Sequence, residues 1–279
     1  MSTSTPTSKP ELDPNQNGDS TKKTYHKQPT GRALQTSQAH SQEHDLKLYG
    51  SCFCPFVHRI WTALEAHHLD YQYIEVDVYR KPKLLLDINP RGLVPALRHG
   101  DWGCYESSVL MEYLEDLALE QNRQGLLPKD ARARAHSRLW SDHINRHLIP
   151  LFYTYLQAQS PDAQASAAVD LTAQISTLVS AADPTGPFFL PGPEPSFVDV
   201  QLAPWVIRMK RVLTPYRGWP APEQGSRWAK WVDAIEGAEA VRKTTSGDEL
   251  YLESYERYAE NRPNTSQVRD AIHGGKGLP

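Results

Sequence analysis

The chain has 279 residues, enough for one large or two modest globular domains whose core needs no disulfide staples. Its 30 Lys and Arg against 33 Asp and Glu leave a net charge of −3, and no block of like charge marks a basic arm or acidic tail, so a nucleic-acid partner is excluded. Three cysteines, Cys52, Cys54 and Cys104, are too few and too irregular for a disulfide framework and point to a reducing, cytoplasmic compartment.

Residues 1–44 are rich in Ser, Thr, Gln, Asn and Lys and read as a disordered polar tail. They lack the apolar stretch of a secretory signal, and one Arg32 beside Glu11, Asp13 and Asp19 does not fit a mitochondrial transit peptide. No apolar run approaches the ~20 residues of a membrane span, so no membrane association is expected.

Alternation over 46–49 predicts a strand, and the spacing of Phe56, Ile60 and Leu64 predicts a helix over 55–68. Tyr71, Tyr73, Ile74 and Val76 mark a second strand. A short helical piece over 83–87 stops at Asn89-Pro90. The segments 94–97 and 103–105 then form a hairpin turning through Gly100 and Asp101. A helix follows from Ser107, with Val109, Tyr113 and Leu117 on one face. The order β-α-β-α-β-β-α describes a small mixed sheet with helices, a thioredoxin-like domain over 45–124.

From about Leu126, Ala-, Leu- and Arg-rich segments with helical spacing replace the strand patterns, which predicts an all-helical domain over 125–260. Within it Ser196-Phe197-Val198-Asp199 has the form of a capping box ahead of the apolar run 200–207, and the Pro-rich stretch 184–195 is the loop leading in. Residues 261–279 read as a flexible tail.

Cys54 follows a strand and precedes Pro55, which suits the first helical position because no N–H is needed there. A thiol at a helix N-terminus faces unpaired N–H groups and the positive end of the helix dipole. Both favour the reactive thiolate. Ser107, with Glu106 before it, heads a later helix, where the N-terminus attracts a carboxylate. His143 and His147 are four apart on a helix, but no acidic residue stands between them in metal-site spacing, and no metal is expected. Trp140, Tyr153, Trp205 and Trp219 are candidates for an apolar pocket between domains, although aromatic residues at helical spacing more often belong to a core.

Together these motifs resemble the glutathione transferase superfamily over about 46–258, and Cys54-Pro55-Phe56 points to its omega class. Gly103-Cys104-Tyr105-Glu106-Ser107 resembles the fungal branch of that class. The resemblance implies that Cys54 forms a mixed disulfide with glutathione, the co-substrate, and that Phe56 packs beside the tripeptide. It further implies that Lys81, before Pro82, meets the glycine carboxylate. In Arg91-Gly92-Leu93-Val94-Pro95 it implies a cis-proline loop whose Val94 backbone pairs with the cysteinyl part. Ser107 and Glu106 would take the carboxylate and ammonium of the γ-glutamyl end. A cytoplasmic homodimer is the implied assembly.

The implied reaction is glutathione-dependent thiol transfer or reduction, with dehydroascorbate, mixed disulfides and glutathionyl ketones as substrate classes. Val57 stands where a dithiol protein would carry a second cysteine, so the site reads as monothiol. A Cys52–Cys54 bridge would be strained. Two enzymatic alternatives are reductive dehalogenation and conjugation of glutathione to electrophiles, the latter with Ser51 as the nearest hydroxyl. A non-catalytic regulatory protein that keeps the fold is a third.

Overall fold

The computed structural model of the chain describes residues 25–275 and Leu278. The first half runs α1 (Gly31–Ala39), β1 (Leu46–Gly50), α2 (Pro55–Ala66), β2 (Gln72–Glu75), α3 (Lys83–Ile88), β3 (Ala96–His99), β4 (Trp102–Tyr105) and α4 (Ser107–Glu120). Its four strands lie in the order β2-β1-β3-β4. Leu48 is opposite Tyr73 in the parallel β1–β2 pair and opposite Leu97 in the antiparallel β1–β3 pair. The hairpin β3–β4 aligns Leu97 with Cys104 and turns at Gly100, whose φ is +60°.

Alternation along β1 sends side chains to two cores. Leu46 and Leu48 bury against Ile60 and Leu64 of α2 and Leu110 and Leu114 of α4, while Tyr49 meets Leu85 and Ile88 of α3 on the other face. Each fully buried aliphatic side chain of this kind contributes roughly 1.5–3 kcal/mol.

The second half is helical: α5 (Ala131–His143), α6 (Ile149–Gln157), α7 (Pro161–Ala181), α8 (Phe197–Arg208), α9 (Thr214–Arg217), α10 (Arg227–Gly237), α11 (Glu239–Thr244), α12 (Asp248–Ala259) and α13 (Gln267–His273). Single π-helical turns join α5 to α6 at Ile144–Leu148 and α8 to α9 at Met209–Leu213. The helix α8 is buried along its whole length. Its first turn is held by Asp199, which accepts from the Ser196 N–H at 2.7 Å, the Ser196 hydroxyl at 2.6 Å, the Phe189 N–H at 2.9 Å and Trp231 Nε1 at 2.6 Å. Phe197 and Val200 of α8 pack into the core of the sheet half, so the two halves share apolar surface.

Both ends depart from the sequence expectation. Residues 1–24 lie outside the described residues, but 25–44 are ordered, with Tyr25, Ala33 and Thr36 buried. This segment is held by partners far along the chain. The Thr30 N–H donates to Ser246 Oγ, the Gly247 N–H to Thr30 Oγ1, and the Thr36 hydroxyl to the Lys243 carbonyl. The Tyr73 N–H donates to the His40 carbonyl at 2.8 Å, which satisfies part of the β2 edge. At the other end, the stretch expected to be a flexible tail forms α13, where Ser266 caps the Arg269 N–H at 3.0 Å. Among the described residues, no helix is long and apolar enough to cross a membrane.

Candidate active site

A cleft of about 990 Å³ opens between the sheet half and the helical half. The six residues that the resemblance assigns to catalysis and glutathione binding, Cys54, Phe56, Lys81, Val94, Glu106 and Ser107, all line it. They come from four separate places: the head of α2, the approach to α3, the loop before β3 and the head of α4.

Cys54 caps α2 with an extended backbone, and Pro55 takes the first helical position. Its thiol donates to the Val94 carbonyl at 3.7 Å, across from the cis Val94–Pro95 bond. Burial pushes the thiol pKa up. The N–H groups of Val57 and Phe56 and the guanidinium groups of Arg208 and Arg59 pull it down, and the net direction is upward. The expectation of a simple helix-stabilised thiolate is corrected to that extent: desolvation of the thiol outweighs the helix end.

Two buried arginines flank this residue. Arg59, on α2, donates to Ser107 Oγ at 3.1 Å and Asn145 Oδ1 at 3.0 Å, and its guanidinium lies 4.7 Å from the Trp205 ring centroid. Arg208, at the end of α8, donates to the Phe53 carbonyl and the Pro204 carbonyl, each at 2.9 Å, and to the Tyr255 hydroxyl at 2.7 Å. It also donates to His58 Nδ1 at 3.1 Å. That fixes the neutral imidazole with its proton on Nε2, toward Thr245 Oγ1 at 3.4 Å. Burial and the charges of Arg208 and Arg211 hold the His58 pKa well below its usual value. Phe56 packs edge-on against Trp205 at 5.3 Å, which fixes the ring at the rim of the cleft.

At the polar end, α4 begins with Glu106 as its cap, at φ +75°, an uncommon conformation for a side chain other than Gly or Asn. Its carboxylate accepts from Arg91 Nη1 at 2.9 Å. Ser107 accepts from Arg59 and lines the cleft at a helix N-terminus, with its own hydroxyl proton uncommitted to any protein acceptor among the described residues. Lys81 Nζ donates to the Arg91 carbonyl at 3.0 Å, and its aliphatic stem lies where a Cβ on Gly92 would be. Gly92 has φ +64°, and that conformation is what favours glycine here, since the exposed Lys81 side chain could move aside.

The opposite wall comes from the helical half and carries Tyr153, Tyr255 and Tyr258, with Ser266, Gln267 and Val268 from the start of α13. Of the four aromatic candidates only Tyr153 lines the cleft; Trp205 packs behind Phe56 and Arg59, while Trp140 and Trp219 pack elsewhere in the helical core. Sequence reading missed Arg59, Arg208 and α13. The available signal was an arginine set among apolar residues of a helix, at Val57-His58-Arg59-Ile60 and at Val206-Ile207-Arg208-Met209. Ser51 is 1% exposed and is not part of the cleft wall. Cys52 is buried; its thiol pKa is pushed well up by burial and by Glu75. Cys104 is half-buried on β4 and donates to the Tyr105 carbonyl at 3.6 Å. The His143 and His147 rings lie 5.1 Å apart, and no metal-binding group of His, Cys, Asp or Glu occurs among the described residues.

Comparison with known proteins agrees with this architecture. The family description "Glutathione S-transferase, N-terminal domain" matches residues 48–122, and "Glutathione S-transferase, C-terminal domain" matches residues 142–234. The crystal structure of glutathione transferase Omega 3C from Trametes versicolor is 39% identical and superposes with a TM-score of 0.76, covering 84% of this chain and 98% of that one. "Glutathione S-transferase U2" of Arabidopsis thaliana is 33% identical over 111 residues, which span 39% of this chain but only 48% of that relative. "Probable glutathione S-transferase DHAR2, chloroplastic" of Oryza sativa subsp. japonica is 27% identical over 191 residues, 68% of this chain and 65% of the relative. The chain belongs to the glutathione S-transferase family.

Proposed function

We propose that this is an omega-like glutathione transferase that works by thiol transfer through a mixed disulfide between Cys54 and glutathione. The observation that carries the reading is the cysteine itself, at the head of α2 and facing the Val94 carbonyl from the cleft wall. Conjugation activates the thiol of glutathione through a protein hydroxyl, and the nearest candidate, Ser51, is sealed away from the cleft. In this reading glutathione lies along Val94 with its γ-glutamyl end at Ser107 and Glu106, its glycine end toward Lys81, and Phe56 beside it. Residues 45–124 then form the glutathione-binding domain and 125–260 the domain that supplies the second substrate's wall.

The Cys54 thiolate takes the glutathionyl sulfur from a disulfide or a glutathionylated substrate, and a second glutathione attacks the mixed disulfide and restores the thiolate. Dehydroascorbate, mixed disulfides and glutathionyl ketones are the substrate classes. A cytoplasmic homodimer belongs to the same reading. Intact-mass analysis after exposure to glutathione disulfide tests the chemistry. One adduct on Cys54, absent from Cys54→Ser and released by reduced glutathione, is the expected result. No adduct, or an adduct confined to Cys52 or Cys104, overturns the mechanism and moves the assignment toward conjugation or a non-catalytic role.

A further inference from the structure

Three tyrosines face the cleft from the helical half, and their hydroxyls are not equivalent. Tyr255 donates to the Phe53 carbonyl at 3.2 Å and accepts from Arg208 at 2.7 Å. Tyr258 is turned to the Ser266 side chain. Tyr153, on α6, is 2% exposed and is held edge-on by Phe152 at 5.4 Å and by the tilted Tyr258 ring at 5.9 Å. No protein group among the described residues hydrogen-bonds its hydroxyl, and it lines the same cleft as Cys54, whose charge acts on it.

Burial, then the neighbouring Tyr255, Tyr258 and Cys54, push the Tyr153 pKa well up, so the phenol keeps its proton. The hydroxyl reaches the cleft instead of being sealed in the core, so its donor is available to a ligand atom there. The ring is fixed by packing, and the donor needs no rearrangement to act.

We propose that Tyr153 is a catalytic residue that donates a hydrogen bond to the ketone oxygen of an α-glutathionyl ketone bound beside Cys54. This rests on the Cys54 thiol-transfer reading and selects, among its substrate classes, the one whose leaving group needs a donor. The Cys54 thiolate attacks the glutathionyl sulfur, an S–S bond forms, and the C–S bond to the ketone's α-carbon breaks. The electron pair leaves with carbon and spreads onto the ketone oxygen as an enolate, which the Tyr153 O–H stabilises. Water then protonates the α-carbon, giving the reduced ketone. The second glutathione, having lost its thiol proton to solvent, displaces Cys54 as glutathione disulfide. Two glutathionyl sulfurs are oxidised to one disulfide and the carbon fragment gains two electrons, so the sum balances. A disulfide substrate expels a thiolate instead, a far better leaving group, and needs the donor much less.

Tyr153→Phe removes only the oxygen, and since no protein group bonds to it, the packing of α6 is kept. The test compares kcat/KM for S-phenacylglutathione with that for the mixed disulfide of glutathione and 2-mercaptoethanol, in the native chain and the variant. Loss of one preorganised donor to an oxyanion lowers rates about 10²–10³-fold, so the ketone-to-disulfide ratio should fall by about 10². A ratio within about threefold of the native value, whether both rates hold or both fall together, overturns the role of Tyr153. Slower alkylation of Cys54 by iodoacetamide in the variant, matching the loss of ketone turnover, also overturns it, since the effect would then act through the thiol. Failure of the underlying reading is seen separately, as a native chain that takes no glutathione on Cys54.

Discussion

At Cys54 opposing influences meet within one turn of helix. Burial raises the thiol pKa, while two N–H groups and two guanidinium groups lower it. Among the described residues, the hydrogen-bond partners of Arg59 and Arg208 are neutral: hydroxyls, carbonyls, an amide and an imidazole. A buried cation without a counter-charge costs several kcal/mol, and ionisation of Cys54 supplies that counter-charge. The coupling is mutual, since burial pulls the Arg59 pKa down and Cys54 pulls it up. Arg208→Met should therefore move the alkylation midpoint of Cys54 to higher pH and slow its reaction with iodoacetamide several-fold near neutrality. A stopped-flow pH profile with the midpoint unmoved would remove Arg208 from the account. Ser107 makes a different prediction, because Arg59 donates to its oxygen and, in the proposed reading, its hydroxyl is left to donate to the γ-glutamyl carboxylate. Ser107→Ala should raise the KM for glutathione about tenfold with little change in kcat, as loss of one charge-assisted hydrogen bond in binding implies.

At the scale of elements, what was legible in the sequence was what is local. Cys54-Pro55 and Ser196 to Asp199 each place their chemistry within four residues, and both the helix start and the capping box are present. The segment that holds α1 was opaque for the opposite reason. Its polar residues look unattached until Ser246, Gly247 and Lys243, more than 200 positions away in the chain, supply their partners. The same holds for Arg208, whose contact with the Phe53 carbonyl spans 155 positions. Composition describes how a segment interacts with water and is silent about a distant surface that can replace it. The capping box also yields a stability prediction. Asp199→Ala leaves the Phe189 and Trp231 N–H groups buried without acceptors, at roughly 1–3 kcal/mol each, beyond the ~1 kcal/mol of a lost cap. Chemical denaturation should show a loss of about 3 kcal/mol or more, and a loss under about 1 kcal/mol would mean that the first turn of α8 is held by packing alone.

Across the whole molecule, two carboxylates give stability opposite pH slopes. Glu65, buried on α2, has a pKa near 2: burial raises it, but hydrogen bonds from His40, Tyr71 and Lys243 outweigh burial. Its contribution is present above the unfolded value of about 4.3 and is lost as pH falls toward 2. Glu75, at the end of β2, goes the other way, to about 7, because burial outweighs the Cys52 N–H at 2.8 Å and the Tyr73 hydroxyl at 2.8 Å, with Asp77 adding to the rise. Between about 4.3 and 7 the unfolded chain has released this proton and the folded one has kept it. The folded state therefore binds more protons, and this group's contribution falls as pH rises through the window. The two terms together put a maximum between the acid limb of Glu65 and the neutral limb of Glu75. Glu75→Gln keeps an acceptor for the Cys52 N–H and removes the titration. Thermal melts from about pH 4.5 to 7 should decline for the native chain, by up to about 3 kcal/mol if the full shift is expressed, and should be flatter for the variant. Parallel profiles for the two proteins would place the origin of that slope outside Glu75.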